Sequence, residues 1–414
     1  MSASDVVVVV GAGLAGAKAA ETLRAEGFDG RIVLVGAEPE RPYERPPLSK
    51  QYLLGAAGRD SAYVHPEGWY ADSDVELRTG VRAVGLDPAG HRVQLDSGEE
   101  LTYGSVLLAT GALPRRLPVP GAELDGVRYL RSLADADRLR ADLAGGGRRV
   151  VVIGGGWIGL EVTAAARHHG NDVTVVEPQP TPLYGVLGAE LGAVFARLHV
   201  AHGVDLRTGV SVRALEGSGG RVRSVLLDGG VALPADLVVV GVGVVPDVRL
   251  AEAAGLPVQN GIVVDAALRS AVPDVYAAGD VASAFSPRYG RHIRVEHWAN
   301  ALHGGPAAAR AMLGQDVVHD RVPYFFTDQY ELGMEYSGLS SPDARVVYRG
   351  NPDEGPFIAF WLGVDGRVEA AMNVDVWDVV EPLQALIRAE RQVPVEQLTD
   401  PDVPLDHLLA GSRA

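Results

Sequence analysis

Residues 6–36 read VVVVVGAGLAGAKAAETLRAEGFDGRIVLVG. The five valines suit a strand, since β-branched side chains pack well on a pleated surface. Gly11, Gly13 and Gly16 follow with the spacing G-x-G-x-x-G, an alanine-rich stretch predicts a helix, and RIVLV predicts a second strand. Residues 150–177, VVVIGGGWIGLEVTAAARHHGNDVTVVE, repeat the pattern with Gly154, Gly156 and Gly159. In a chain of 414 residues with 51 glycines, chance alone gives roughly 0.8 matches to this spacing, so context has to decide. Both matches follow an apolar strand, open a helix and reach a second strand within about 30 residues, which is the setting of a dinucleotide-binding βαβ unit.

The glycines then have physical work. One permits a tight turn, one lets backbone approach a pyrophosphate, and one allows close helix–strand packing. The helix N-terminus offers N–H groups to phosphate oxygens. Ordinary βαβ crossovers without a ligand are the competing reading. Glu177 ends the second strand of the second unit, where a carboxylate can bind a ribose 2′-OH and repel a 2′-phosphate, favouring NADH over NADPH. In the first unit the strand ends at Gly36, followed by Ala37 and Glu38, so the ribose partner is Glu38 or a backbone group. LLATGALPR (107–115) and LVVVGVGVVPD (237–247) read as strands ending in glycine-rich turns, suited to crossovers between two nucleotide domains. DVYAAGDVA (274–282) places Asp280 at a helix start, where it is either a plain N-cap or an acceptor for a polyol such as ribityl.

Composition narrows the function. The length predicts two or three domains, and 47% hydrophobic with 22% charged residues fits a globular chain. No apolar run reaches the length of a membrane span, and MSASD lacks the basic residues of a signal peptide, so a cytoplasmic protein without membrane attachment is expected. A net charge of −16 argues against nucleic-acid binding. With no cysteine, disulfides, thiolate metal sites and a redox dithiol are excluded, and no metal site is expected. Of the 37 basic residues only Lys18 and Lys50 are lysines. Lys50 ends RPYERPPLSK (41–50), a proline-rich loop in which Arg45 suits a pyrophosphate.

The order of motifs resembles the flavoprotein disulfide-reductase superfamily and, within it, the oxygenase-coupled NADH–ferredoxin reductases. The stretches carrying the resemblance are GAGLAG, RPPLSK, LLATGALPR, YLRSLADA, VVIGGGWIGLE, LHVAHGVDLRTG, VYAAGDVA, RVEHWANAL and VPYFFTDQYELG. The resemblance implies an α/β fold with two Rossmann-like dinucleotide-binding domains: an FAD domain at 1–114 and 246–320, interrupted by an NAD domain at 115–245. A small α+β domain would follow at 321–414, with FIAFWL, a DGR turn and VEAAMNV as antiparallel strands and QALIRAE as a helix. It implies FAD contacts at Gly11, Gly13, Ala15, Gly16, Ala37, Glu38, Arg45, Lys50, Ala83, Thr110, Arg131, Asp280 and Trp298. NADH contacts would fall at Gly154, Gly156, Ile158, Gly159, Glu177, Gly243 and Glu296. Lys50, Glu161 and Trp298 would serve catalysis, with Glu161 beside the Lys50 ammonium and Phe326 near the flavin or nicotinamide. The chain departs from the pattern at Ala37, often Asp, at Gly185, usually Arg, and at Phe326, commonly Trp.

The resemblance and the absent cysteines imply one activity: hydride from NADH passes to FAD, and electrons leave singly to a [2Fe–2S] ferredoxin that supplies a cytochrome P450 or a Rieske oxygenase. SPRYGRHIR (286–294) offers Arg288, Arg291 and Arg294 as a docking patch on an otherwise acidic protein. An NADH oxidase is disfavoured, because such relatives use a redox cysteine. A flavoprotein acting by binding, like apoptosis-inducing factor, is the third reading.

Overall fold

The computed structural model describes residues 5–409. Within them the chain forms two compact units. One comprises the residues up to Pro46, Gly58–Leu113 and Val244–Arg321; the other comprises Pro47–Ala57, Pro114–Gly243 and the chain from Val322 onward. Pro47–Ala57, expected in the first nucleotide domain, groups with the second unit.

The first unit is built on a five-stranded sheet in the order Val275–Ala277, Ser105–Leu108, β1 (Val6–Val10), β2 (Arg31–Val35) and Val75–Arg78. All its pairings are parallel, with Val8 opposite Val33 on one side and Val106 on the other. The all-valine β1 is buried throughout, as a central strand covered on both faces must be. Helix α1 (Leu14–Ala25) covers one face, and helix Trp298–Met312 crosses it so closely that a Cβ on Gly305 would lie 2.2 Å from the Ala15 carbonyl oxygen.

The second unit repeats the plan. Its parallel sheet runs Asp205–Thr208, β4 (Asp172–Glu177), β3 (Arg149–Ile153), Leu237–Val240 and Val127–Tyr129. Helix α2 (Trp157–His168) follows β3, and α3 (Tyr184–Ala201) follows β4 with a kink at Gly188, φ 77°. In both sheets the glycine-bearing strand is central, flanked by its own βαβ partner and by the crossover strand. The carboxyl ends of such strands, where connections depart to opposite sides, are where α/β sheets bind ligands.

The same unit carries an antiparallel sheet in the order β5 (Tyr324–Gln329), β6 (Leu332–Gly338), Val368–Val374, Phe357–Leu362 and Arg345–Gly350. Strand Phe357–Leu362 is buried on both faces. Phe357, Ala359 and Trp361 join Leu191 and Phe195 of α3, whereas Ile358, Phe360 and Leu362 join Leu383, Leu386 and Ile387 of helix Val380–Ala389. Among the described residues no helix is long and apolar enough to cross a membrane, and no cluster of His, Cys, Asp and Glu is placed to hold a metal ion.

Candidate functional site

The glycine turns meet steric requirements that side chains would violate. Gly11 (φ 117°) passes the 109–110 backbone so closely that a Cβ would lie 2.1 Å from the Ala109 carbonyl oxygen, and a Cβ on Gly16 would lie 2.1 Å from that of Gly11. At Gly13, by contrast, a Cβ would meet nothing within 4 Å. The second turn matches: Gly154 (φ 105°) abuts the Gly241 carbonyl, Gly159 abuts Gly154, and the space beside Gly156 is open. Gly13 and Gly156 are also the N-caps of α1 and α2, and neither helix start is capped by a side chain. Each turn therefore presents unbranched backbone and uncapped helix N–H groups to an open space, the arrangement that suits a pyrophosphate. Ile158, in the first turn of α2, is 45% exposed. Gly243 has φ 93°, also with open space beside it.

Glu177 lies at the end of β4 against the second turn. Its Oε2 accepts the Gly155 N–H at 2.6 Å and its Oε1 accepts the Gln179 N–H at 2.9 Å. The carboxylate is buried, and both its oxygens are held by backbone donors. In the first unit Glu38 is half-exposed and engaged by the Tyr43 hydroxyl and by Arg45 Nη2 at 3.3 Å. Desolvation disfavours the Arg45 charge, but Tyr43, Glu38 and Asp280 outweigh it and raise its pKa. Ala37 is exposed and offers only a methyl group.

Lys50 and Glu161 belong to the same unit and meet. Lys50 Nζ donates to Glu161 Oε1 at 2.7 Å, with side-chain exposures of 10% and 2%. Two hydroxyls complete the shell: Ser49 Oγ donates to Oε2, and Thr327 Oγ1 donates to Oε1 at 2.6 Å. The Lys50 ammonium also stands 5.1 Å from the centroid of the Phe326 ring, a cation–π contact. The loop reaches this position through a turn of 3-10 helix, Pro46–Ser49, whose prolines preset φ.

The remaining predicted positions divide. In the first unit, Trp298 opens helix Trp298–Met312 and its indole N–H donates to Glu44 at 3.1 Å. Glu296 pairs with Arg294 at 2.5 Å, and Thr110 spends its hydroxyl on the Asp247 carbonyl at 2.7 Å. The Ala15 side chain is packed 3.2 Å from where a Gly279 Cβ would stand, and Ala83 begins the strand Ala83–Asp87. Asp280 lies in the short helix Gly279–Val281 and accepts Arg294 through its carbonyl oxygen. Arg131, in the second unit, precedes the Ser132/Asp135 capping box and donates its backbone N–H to Asp135. Of the three arginines read as a patch, Arg288 is paired with Asp320 and Arg294 with Glu296, and both are largely buried; Arg291 is exposed.

Sequence reading did not single out Ser49, Thr327, Gln329 or His199. The signal lay in the alternation of FFTDQ: Phe325, Thr327 and Gln329 share the inward face of β5, so two polar residues occupy buried positions.

Comparison with known proteins agrees along the chain. Residues 5–305 match the pyridine nucleotide-disulphide oxidoreductase family, and residues 324–409 match a reductase C-terminal domain. The ferredoxin–NAD(+) reductase component of an anthranilate 1,2-dioxygenase system from Burkholderia cepacia is 42% identical, covering 98% of this chain and 100% of the relative. Rhodocoxin reductase from Rhodococcus erythropolis is 38% identical over 98% of this chain and 95% of its own length. The reductase in a covalent putidaredoxin reductase–putidaredoxin complex superimposes with a TM-score of 0.95 at 37% identity, with 99% of each chain covered. The chain belongs to the pyridine nucleotide-disulphide oxidoreductase family and carries a reductase C-terminal domain after it.

Proposed function

We propose that the protein is an NADH-dependent ferredoxin reductase that holds FAD at the first glycine turn and NADH at the second. When bound, FAD supplies an acceptor for the hydride of NADH and can release the two electrons one at a time to a [2Fe–2S] ferredoxin. The observation that carries the reading is the pairing of two such turns with a buried Lys50–Glu161 ion pair in a chain without cysteine. Disulfide-reducing relatives need a thiol pair to receive electrons, and this chain has none, so the acceptor must come from outside. Full-length relatives named as the reductase component of a dioxygenase system, as rhodocoxin reductase and as the ferredoxin reductase of a CYP199A2 system support the same conclusion, with a cytochrome P450 or Rieske oxygenase served indirectly.

The residues divide the work by charge. Gly11, Gly13 and Gly16 with the start of α1 receive the FAD pyrophosphate, with Arg45 as a cationic partner and Asp280 as an acceptor for the ribityl chain. Ala15, Ala37, Glu38, Ala83, Thr110, Arg131 and Trp298 complete the FAD contacts. Gly154, Gly156, Ile158, Gly159, Gly243 and Glu296 serve NADH, and Glu177 takes the adenosine ribose and excludes a 2′-phosphate. Lys50, kept charged by Glu161, places a single positive charge where negative charge develops on hydride transfer. FAD and NAD domains at 1–114 with 246–320 and at 115–245, a C-terminal domain at 321–414, and a cytoplasmic location complete the proposal. Exposed Arg291 is its docking candidate, with Arg288 and Arg294 framing the loop.

The first test is spectroscopic. Purified protein should be yellow, with the two visible bands of oxidised flavin, and anaerobic NADH should bleach it at one equivalent per flavin. A colourless protein that takes up no FAD contradicts the proposal.

A further inference from the structure

Glu161 is 2% exposed, and a carboxylate so buried persists as an anion only if donors surround it. Lys50 and Ser49 reach it from one loop. The third donor, Thr327, comes from the antiparallel sheet, and it does not act alone. Gln329 Nε2 donates to Thr327 Oγ1 at 3.2 Å, and Gln329 Oε1 faces His199 Nε2 at 2.9 Å. On the far side of the imidazole, the Tyr330 hydroxyl lies 3.4 Å from His199 Nδ1. Thr327, Gln329 and His199 are each fully buried.

The chemistry of these groups leaves one direction for the protons. A threonine hydroxyl has one proton, and Thr327 gives it to Glu161 while accepting from the Gln329 amide. Gln329 then has its carbonyl oxygen toward His199, so the imidazole carries its proton on Nε2 and turns the Nδ1 lone pair to Tyr330. Turning the Gln329 amide over would set oxygen against oxygen at Thr327, whose single proton is already given to Glu161. Burial keeps His199 neutral, with its pKa pushed down to about 4. The chain ends at the surface in the turn between β5 and β6. There Tyr330 holds a left-handed backbone, φ 56°, and its ring stacks on His202 at 3.7 Å, while His202 meets Glu331 at 3.1 Å. A bulky residue rarely adopts that backbone, and here it keeps the phenol against His199.

We propose that Tyr330, His199, Gln329 and Thr327 form a one-directional hydrogen-bond chain that positions Glu161 as the fixed anionic partner of Lys50. All four are positioning residues, acting through Glu161. Their relevance to turnover rests on the function proposed above; the geometry of the chain does not.

The lysine count makes the test clean. With ε-15N-lysine labelling the protein has two ammonium signals, from Lys18 and Lys50, and the Lys18 signal is an internal control in the other unit. In the native protein the Lys50 ammonium protons should exchange slowly, because the pair is buried. Thr327→Val should speed that exchange about tenfold or more, since it removes a hydrogen bond to a charged group, with Lys18 unchanged; Thr327→Ser should restore it. Gln329→Glu, close in shape but unable to donate to Thr327, should act like Thr327→Val, and it carries the test if the valine variant does not fold. In flavin-loaded enzyme both variants should lower kcat with KM for NADH held. Side-chain 15N shifts should show His199 protonated at Nε2. An unchanged Lys50 signal in folded Thr327→Val or Gln329→Glu, or a proton on His199 Nδ1, overturns the proposal. The lysine signals need no ferredoxin, so a wild-type protein that failed to reduce ferredoxin would refute the proposed function and leave this result standing.

Discussion

Lys50 sits in a protein that otherwise uses arginine, apart from Lys18, and its surroundings explain the exception. Glu161 has one oxygen taken by Ser49 and the other shared by Thr327 and Lys50. A planar guanidinium recognises a carboxylate best through both oxygens, and Ser49 occupies the second. An ammonium asks for one. Lys50→Arg should therefore not behave as a conservative change, and Glu161→Gln should leave a buried ammonium without its counter-charge. We expect Glu161→Gln to lower unfolding stability by about 3–5 kcal/mol, measured by urea denaturation. At Glu177 the two backbone bonds hold an anion beside the second glycine turn. Glu177→Gln keeps the shape and removes the charge, so the preference for NADH over NADPH should narrow by about tenfold or more, read from the ratio of kcat/KM values.

At the scale of elements, local pattern and long-range pairing part company. The two βαβ units were legible because spacing and hydrophobic runs are local, and the collisions awaiting a Cβ at Gly16 and Gly159 give the physical reason for that spacing. The meeting of Lys50 with Glu161 spans 111 residues, and only the family resemblance pointed to it. The Thr327–Gln329–His199 chain had no sequence signal beyond two polar residues at inward positions of a strand. The arginines of 286–294 show the same limit from the other side, since a run of like charge does not reveal that Asp320, 32 residues from Arg288, pairs with one of them. Arg349 illustrates the same limit. It is buried in the edge strand Arg345–Gly350 and donates to the carbonyls of Leu398, Gln397 and Val403, stapling the C-terminal segment to the sheet. Arg349→Lys can keep at most part of this fork, so hydrogen exchange over residues 395–409 should accelerate at least tenfold while β1 and β3 stay protected.

Across the whole molecule, acid sensitivity follows from buried neutral histidines. Burial lowers His199, His297 and His319 from an ordinary value of 6.5 to about 4. Between those values the unfolded chain binds protons that the folded chain refuses, so stability rises with pH through the window and is lost as pH falls from 6.5 toward 4. Each histidine contributes on the order of 3 kcal/mol as an upper bound. Urea midpoints taken from pH 7 down to pH 4.5 should fall steadily, and His199→Phe should flatten part of that slope. The same whole-chain view states the functional claim: two nucleotide turns, a buried ion pair and no thiol make a protein that passes electrons outward. The most direct measurement is anaerobic stopped-flow mixing of the NADH-reduced, flavin-loaded protein with a [2Fe–2S] ferredoxin. The account predicts two equivalents of ferredoxin reduced per flavin, on the timescale of steady-state turnover and far faster than electrons pass to oxygen. A flavin that NADH reduces readily but that leaves every ferredoxin offered oxidised would contradict it.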